Sequence, residues 1–186
     1  MAAEPRERAT YADIEALPPN MVGELIAGVL HAHSRPATPH AVAASAIGEE
    51  LGPPFKRGRG GPGGWALLDR PELHFGEDVL VPDIAGWRRE RLPEVPVAPF
   101  LTLPPDWLTE VLSPSTSSLD RADKVPIYAA QRVGHVWLVD PLAQTLEILR
   151  LDGTSYRLVA VHKEGARVRA EPFDAIELEL AILWAR

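Results

Sequence analysis

The sequence contains no cysteine, which excludes disulfide bonds, cysteine nucleophiles and zinc sites built from thiolates. Any bound metal ion would need oxygen or imidazole ligands. Long apolar runs are also missing, because no stretch of the roughly 20 residues that a membrane helix needs lacks both charge and proline. The first residues carry scattered charges and no apolar run typical of an export signal. These absences favour a protein of the reducing cytoplasm, with no membrane span and no disulfide partner.

Lysine is scarce, with three residues in a chain that otherwise uses arginine, and the net charge is −7. This balance argues against a non-specific nucleic-acid coat, which needs many Lys or Arg contacts to phosphates. It does not exclude a nuclease, because the distribution of charge matters more than the sum. Two basic clusters could face phosphates, and a solvated surface loop is the simpler interpretation of each: Lys56, Arg57 and Arg59, and Arg88, Arg89 and Arg91.

The chain of 186 residues, 46% of them hydrophobic, is long enough to bury one sizeable core. We therefore expect a single domain over residues 1–186, in which residues 1–20 form an N-terminal helical extension. Within that extension, Thr10 and Asp13 are spaced as a capping arrangement for a helix over Tyr11 to Leu17. Two prolines then end this helix.

Short apolar runs and their periodicity predict a mixed α/β order along the rest of the chain. Ala27-Gly28 between two such runs indicates a hairpin, and apolar residues at helical spacing predict a helix from Thr38 to Leu51. The glycine-rich segment 58–64 lacks the Lys-Ser/Thr ending of a phosphate-binding loop and is interpreted as a flexible connection. Further strands are predicted at Trp65–Leu68, Glu72–Phe75, Ile84–Trp87, Trp107–Leu112, His135–Asp140, Thr145–Leu149 and Tyr156–Val161.

Two proline-containing segments break this order. Prolines remove ladder donors, so Pro93–Pro105 should be an irregular excursion between strands. A helix is predicted from about Leu119 to Val133, with Ser117 and Asp120 spaced as a capping box. Pro126 either kinks this helix or begins its regular part. The strand that follows is nearly all apolar and should be central in the sheet.

Two carboxylates occur in strand-like surroundings. Val81-Pro82-Asp83 places one where a strand is entered or turned, although a Pro-Asp pair alone is usual in turns. Glu110 interrupts the apolar run from Leu108 to Leu112 and should share a sheet face with both leucines. Burying that charge unpaired would cost several kcal/mol, so a metal, another cation or water must stand beside it. A salt bridge or an exposed sheet edge is the alternative.

Lys124 follows a serine-rich turn and lies close in sequence to Asp120, Asp123 and Tyr128. In a chain that prefers arginine, a lysine near two carboxylates indicates a site that uses a compact ammonium group. The alternative is an ordinary surface lysine paired with one of the two aspartates.

Taken together, these residues resemble the PD-(D/E)XK nuclease superfamily and, within it, the Uma-two family of restriction endonucleases. The most specific part is Glu110-Val111-Leu112-Ser113-Pro114-Ser115-Thr116 with Asp, Lys and Tyr behind it. The superfamily's usual lysine lies two residues after the glutamate, and that position is Leu112 here. The resemblance implies that Lys124 takes this role from the following helix. It covers most of the chain, through Glu24-Leu25-Ile26-Ala27-Gly28, His40, Val81-Pro82-Asp83, the stretch from Glu110, Asp120-Arg121, Lys124, Tyr128-Ala129 and Trp137-Leu138-Val139-Asp140-Pro141.

The resemblance implies a restriction-endonuclease-like α/β fold, with a mixed β-sheet flanked by helices. It also implies a metal-dependent endonuclease that hydrolyses phosphodiester bonds of nucleic acid, with DNA as the expected substrate. Asp83, Glu110 and Lys124 would be catalytic, and both carboxylates and the Val111 backbone carbonyl would bind Mg²⁺, or Mn²⁺ in its place. Four further residues would support the site: Glu24, His40, Asp120 and Tyr128. A homodimer is expected, because cutting two strands favours two sites.

Three other functions compete with this interpretation. The main alternative is a catalytically silent member of the fold that binds a nucleic acid or a protein. A serine hydrolase is disfavoured because the sequence has no Gly-x-Ser-x-Gly elbow. Zinc hydrolysis is also disfavoured, because no His-Glu-x-x-His helix exists and His31 and His33 are interpreted as hairpin side chains.

Overall fold

The computed structural model describes residues 8–34 and 37–185. The predicted N-terminal extension therefore lies partly outside the described residues, and its described part contains the helix α1 (Tyr11–Glu15). The predicted cap is present, because the Thr10 N–H and hydroxyl donate to the Asp13 carboxylate at 2.6 and 3.0 Å. The helix ends two residues earlier than predicted.

Twelve strands lie in three sheets within the described ranges. The predicted strands are present with small shifts at their ends. Three strands are additional, namely the fifth, eleventh and twelfth, and each is only two or three residues long. The strands are β1 (Val22–Ile26), β2 (Val29–His33), β3 (Trp65–Asp69), β4 (Leu73–Phe75), β5 (Asp78–Leu80), β6 (Ile84–Arg88), β7 (Trp107–Val111), β8 (His135–Asp140), β9 (Thr145–Asp152), β10 (Ser155–Lys163), β11 (Arg167–Val168) and β12 (Leu178–Glu179).

The predicted hairpin is formed by β1 and β2 in antiparallel pairing. Its turn residues Ala27 and Gly28 have φ values of 53° and 80°, and two successive positive φ angles are typical of the type I′ turn that favours tight hairpins. The hairpin continues into an antiparallel sheet with the order β2-β1-β5-β4. Glu24 lies in this small sheet, on β1.

The largest sheet has six strands in the order β10-β9-β8-β7-β6-β3. Only β7 and β8 pair in parallel, and the other neighbours are antiparallel, so the sheet is mixed as predicted. The prediction that the apolar strand β8 is central is confirmed. The excursion Pro93–Pro105 has no strand, and it contacts β4 through a bridge between Leu101 and Leu73 and through the Phe100 ring stacked on His74.

The first long helix, α2 (Thr38–Leu51), has the predicted bounds. It continues into a π-helical turn at Gly52–Lys56 that was not predicted. Pro53 and Pro54 have no backbone N–H to donate, and the turn is closed by the Arg57 N–H, which donates to the Gly52 carbonyl at 3.1 Å. The segment 58–64 that follows has neither helix nor strand, while its flexibility stays a prediction.

The second helical region, predicted from about Leu119 to Val133 with Pro126 as a kink or as the start of its regular part, is interrupted, and its regular part begins at Val125. It consists of α3 (Ser117–Leu119), a π-helical turn at Asp120–Lys124 and α4 (Val125–Ala130). Pro126 stands in the first turn of α4, where its missing N–H costs no helical hydrogen bond. The predicted capping box is wrong, because α3 begins after Thr116 and has no side-chain cap.

Apolar side chains cover both faces of the six-stranded sheet. On one face, α2 packs with the aromatic residues Trp65, Trp107, Trp137 and Phe173. On the other face, Leu108 and Leu112 pack with Tyr128 of α4 and with side chains of the small sheet. No helix in the described part of the chain is long and apolar enough to cross a membrane.

Candidate active site

Asp83 lies at the bend that leads from the small sheet into β6. Its backbone N–H donates to the Thr109 carbonyl at 3.1 Å, and its carbonyl accepts the Arg70 N–H at 2.9 Å. Its carboxylate accepts the Val111 N–H at 2.8 Å. The side chain is thus fixed against the end of β7, one residue beyond Glu110.

Glu110 is buried in the middle of the sheet, with 3% of its surface exposed. As predicted, it shares a face with Leu108 and Leu112, which belong to the core cluster on that side. Two donors meet its Oε1 atom: the Lys124 ammonium at 2.8 Å and the Tyr128 hydroxyl at 2.5 Å. The charge that an apolar strand would not tolerate is therefore paired within the protein.

Lys124 projects from the π-helical turn, and its Nζ atom is shared by three carboxylates. It lies 2.8 Å from Glu110, 2.9 Å from Glu24 and 3.2 Å from Asp120. Glu24 also accepts the Val81 N–H at 2.8 Å, which ties the hairpin to the segment before Asp83. The lysine side chain is 3% exposed, so this is an interior charge cluster and not a surface ion pair.

Two histidines complete the cluster. His40, in the first turn of α2, has its Nε2 atom 3.2 Å from the Asp83 carboxylate, and its buried Nδ1 atom has no hydrogen-bond partner within the described residues. His33 of β2 has its Nε2 atom 3.4 Å from Glu24. The contact between His33 and Glu24 is not aligned as a hydrogen bond, because the His33 Nε2 atom has no hydrogen-bond partner among the residues described.

The chain is similar to known proteins over nearly its whole length. A family model described as "Uma2: Putative restriction endonuclease" matches residues 9–182. The chain belongs to the Uma2 family. A crystal structure from Anabaena variabilis, described as "a putative nuclease belonging to DUF820", has a TM-score of 0.76 at 23% identity and covers 95% of this chain and 97% of its own. No curated protein sequence matches the chain significantly.

The fold is therefore the restriction-endonuclease-like α/β fold, as the resemblance implied. Every residue that was predicted for the site of this Uma2 protein lines or adjoins one cavity of about 530 Å³. Asp83, Glu110, Val111 and Lys124 line it directly. Of the supporting residues, Glu24, His40 and Asp120 line it as well, and Tyr128 lies behind Glu110.

Burial and the shared lysine shift the acidities in this cluster in different directions. Burial opposes ionisation of Glu24, but the Lys124 charge together with the His33 and Val81 contacts lowers its pKa to about 2. Burial and the carboxylates of Asp120, Asp83 and Glu24 raise the pKa of Glu110 well above its ordinary value, despite Lys124. One lysine thus does not neutralise all of its acidic neighbours.

The same imbalance affects the remaining groups of the cluster. Burial raises the pKa of Asp120. Burial opposes the charge on Lys124, but three adjacent carboxylates hold its pKa well above the ordinary value. Burial and the nearby Glu110 carboxylate raise the pKa of Tyr128. Its hydroxyl therefore stays protonated and donates a hydrogen bond to Glu110. The surplus of negative charge makes the cavity favourable for a cation.

The donor set fits a hard divalent cation. In the described ranges 8–34 and 37–185, no three His, Asp or Glu side chains form a complete metal cage. Mg²⁺ does not need one, because it usually keeps several waters and uses one or two carboxylates. Asp83 and Glu110 line the cavity, and every candidate side-chain ligand offers oxygen or imidazole, because the chain has no cysteine.

Two residues near the site were missed by sequence reasoning. His33 was interpreted as a plain hairpin side chain, although β1 and β2 pair Glu24 with His31 and place His33 diagonally across from it. Arg70 lines the same cavity. Its backbone N–H donates to the Asp83 carbonyl, which places it beside the site. A cross-strand register could have indicated His33, whereas no local pattern marks Arg70.

Proposed function

We propose that this Uma2 protein is a metal-dependent endonuclease that hydrolyses phosphodiester bonds of DNA, with Asp83, Glu110 and Lys124 as its catalytic residues. The observation that carries the proposal is the 2.8 Å contact between the Lys124 ammonium and Glu110. The superfamily lysine is replaced by Leu112 at its usual position, and this contact supports Lys124 as the substitute. Lys124 and Glu110 line a cavity that also contains Asp83.

Asp83, Glu110 and the Val111 carbonyl would hold the ion, with Mg²⁺ as the expected cation and Mn²⁺ as a substitute. When bound, such an ion offsets the repulsion between carboxylates and phosphate and lowers the pKa of a bound water. The chain supplies the positioning of these ligands. The Val111 N–H fixes the Asp83 carboxylate, and the Tyr128 hydroxyl fixes that of Glu110.

Lys124 has the role of a charge stabiliser and a guide for the attacking water. An ammonium group beside the reacting phosphate stabilises the negative charge that builds up in the transition state. Its raised pKa keeps the amine protonated near neutral pH, so it would serve as a donor and not as a general base. Glu24 and Asp120 also hold the ammonium, at 2.9 and 3.2 Å.

The experiment is a cleavage assay with supercoiled plasmid, single-stranded DNA and single-stranded RNA, in Mg²⁺, in Mn²⁺ and in EDTA. We expect metal-dependent nicking of DNA that falls by about 100-fold or more in Asp83→Asn. Asp123→Asn is the matched control, because Asp123 is exposed on the same helical region as Lys124. Equal cleavage by both variants would overturn the site, and no cleavage of any substrate would favour a silent, binding-only protein. The expected homodimer and the cytoplasmic location stay predictions.

A further inference from the structure

A second cavity of about 650 Å³ opens beside the candidate active site. It runs between the exposed side of α2, the π-helical turn after it and the end of β3. His40, Arg70 and Asp83 line both this cavity and the active-site cavity, so the two are continuous. We refer to it as the α2 groove, with Ser45, Gly48, Lys56, Arg57 and Arg70 among its lining residues.

Three cations line the α2 groove, and none of them forms an ion pair with a described carboxylate. Arg57 and Arg70 are exposed and have no side-chain hydrogen bond to a described residue. The Lys56 ammonium donates to the Leu67 carbonyl at 2.9 Å, which holds it at the groove wall and leaves its other protons available. Three carboxylates, Glu49, Asp69 and Asp83, line the same groove. None of them forms an ion pair with these three cations among the described residues, so the cations stay available to an anionic ligand.

The other basic cluster of the sequence behaves differently. Arg91 pairs with Asp106 at 2.7 Å, and the Arg88 guanidinium stacks over the Trp65 ring at 4.2 Å. Arg89 donates to the Pro93 carbonyl at 3.1 Å. These three arginines stabilise the protein's own loops, whereas the cations of the α2 groove face a cavity.

Arg70 has an unusual backbone that connects the groove to the site. Its φ is 45°, a left-handed conformation that glycine or asparagine adopts at lower cost than arginine. Its N–H donates to the carbonyl of Asp83 at 2.9 Å. An arginine at such a position indicates a use for the side chain, because the turn alone would favour a smaller residue.

We propose that the α2 groove binds the sugar-phosphate backbone of the nucleic acid next to the cleaved bond, with Arg57, Arg70 and Lys56 as its phosphate contacts. The proposal rests on the proposed nuclease function. The acidic cavity repels a polyanion, so the strand needs cations beside the reaction centre to lie there. Guanidinium groups suit this purpose because they bind phosphate oxygens in a fixed, two-pronged geometry.

The test measures the binding of a fluorescein-labelled DNA duplex by anisotropy over a range of salt concentrations. All proteins carry Asp83→Asn to prevent cleavage. Arg57→Gln/Arg70→Asn removes two groove charges, and asparagine tolerates the positive φ at position 70. Arg157→Gln/Lys163→Gln removes two charges from exposed positions on β10 and keeps the net charge equal. Thermal unfolding checks that every variant is folded.

Each lost phosphate contact lowers the slope of log K against log salt by about 0.9 for duplex DNA. We therefore expect the slope to fall by about 2 in the groove variant and to stay unchanged in the β10 variant. Equal changes in both variants, no change in either, or no binding of the duplex by the parent would overturn the proposal. A single-stranded probe of the same sequence shows which form of DNA the groove prefers.

A second substitution tests the groove by adding charge. Gly48 is exposed on α2, and a Cβ atom there would meet only the Ile84 side chain at 3.8 Å. Gly48→Glu should weaken binding at least 10-fold at low salt, and Gly48→Ala should not. With Asp83 restored, Gly48→Glu should raise KM for the duplex, and Gly48→Ala should not. If the groove variants weaken binding but the protein cleaves no substrate, the nuclease function is wrong and the groove proposal stands. If the protein cleaves DNA but the groove variants bind it as well as the parent does, the groove proposal is wrong and the nuclease function stands.

Discussion

The two faces of the six-stranded sheet differ most along β7. Trp107 and Val111 point to one face, into a core of apolar and aromatic side chains. Glu110 points to the other face, where Lys124 and three further carboxylates gather beside a cavity. The five residues of β7 thus contribute to two different regions. Trp107 and Val111 belong to the apolar core that stabilises the fold, and Glu110 belongs to a charged cluster that is costly to bury.

The comparison shows where stability and chemistry lie in this fold. Burial of large apolar side chains is the main favourable contribution to folding. Buried ion pairs often contribute little net stability, because desolvation offsets their attraction. The charged face is therefore better explained by function than by stability, and substitutions on the two faces should have different consequences.

The largest effect should come from removing the one cation that three carboxylates share. Lys124→Met should lower the free energy of unfolding by about 3 to 5 kcal/mol at pH 8, because Glu110, Glu24 and Asp120 lose their partner. The loss should be smaller at pH 5, where the carboxyl groups can take up protons. Urea unfolding at both pH values measures it, with the exposed Lys163→Met as the matched control. Equal losses at the two pH values would show that the cluster is not governed by charge.

On the aromatic face, Phe173→Ala should cost about 3 to 5 kcal/mol in the free energy of unfolding. Phe173 is 1% exposed, and its ring centre lies 4.8 Å from those of both Trp65 and Trp107. The catalytic constant per folded molecule should stay the same, because Phe173 does not line the cavity. Urea unfolding and a cleavage assay on the folded fraction separate the two effects. A large change in the catalytic constant would mean that the faces are coupled.

The pH dependence of stability should have opposite signs for two carboxylates on the same lysine. The Glu24 pKa is lowered from 4.5 to about 2 in the folded protein, so its contribution is complete above pH 4.5 and is lost as the pH falls toward 2. That contribution is about 3 kcal/mol. The Glu110 pKa is raised, so its contribution is complete below 4.5 and is lost as the pH rises.

The measurement is the difference in unfolding free energy between the parent protein and Glu24→Gln or Glu110→Gln, taken from pH 3 to pH 9. For Glu24→Gln the difference should shrink toward acid, and for Glu110→Gln it should shrink toward alkali. Two curves with the same slope would contradict the opposite shifts. Differences between variants are used because other titrating groups contribute equally to both proteins.

Much of this layout was predictable from local patterns. The alternation around Glu110 correctly gave its face, and the turn residues Ala27 and Gly28 correctly gave the first hairpin. The bounds of α2 followed from its apolar spacing. In each case the residues that determine the local structure lie within a few positions of one another. The sequence pattern therefore contains the information that the local structure needs.

Other features depend on contacts that local patterns do not contain. Strands of two or three residues such as β5 show no alternation and form through their partners. The π-helical turn that carries Lys124 needs one extra residue before Pro126, which a simple helical period does not predict. The roles of Asp83, Glu110 and Lys124 in catalysis stay a prediction. Their meeting at one cavity depends on β6, β7 and the helical region, which only the folded chain brings together.

The smallest predicted effect concerns the hydroxyl that holds Glu110 in place. Tyr128→Phe removes the 2.5 Å hydrogen bond to Glu110 and should cost about 1 to 3 kcal/mol in the free energy of unfolding, because a buried acceptor loses a donor. Cleavage should fall by about 10-fold, equivalent to about 1.4 kcal/mol, and the acid limb of the pH–rate profile should move to higher pH. Tyr156→Phe is the matched control, because its hydroxyl donates to the Val133 carbonyl at 2.7 Å, away from the cavity. If both variants lose stability but neither moves the pH–rate profile, Tyr128 stabilises the charged face without positioning Glu110 for catalysis.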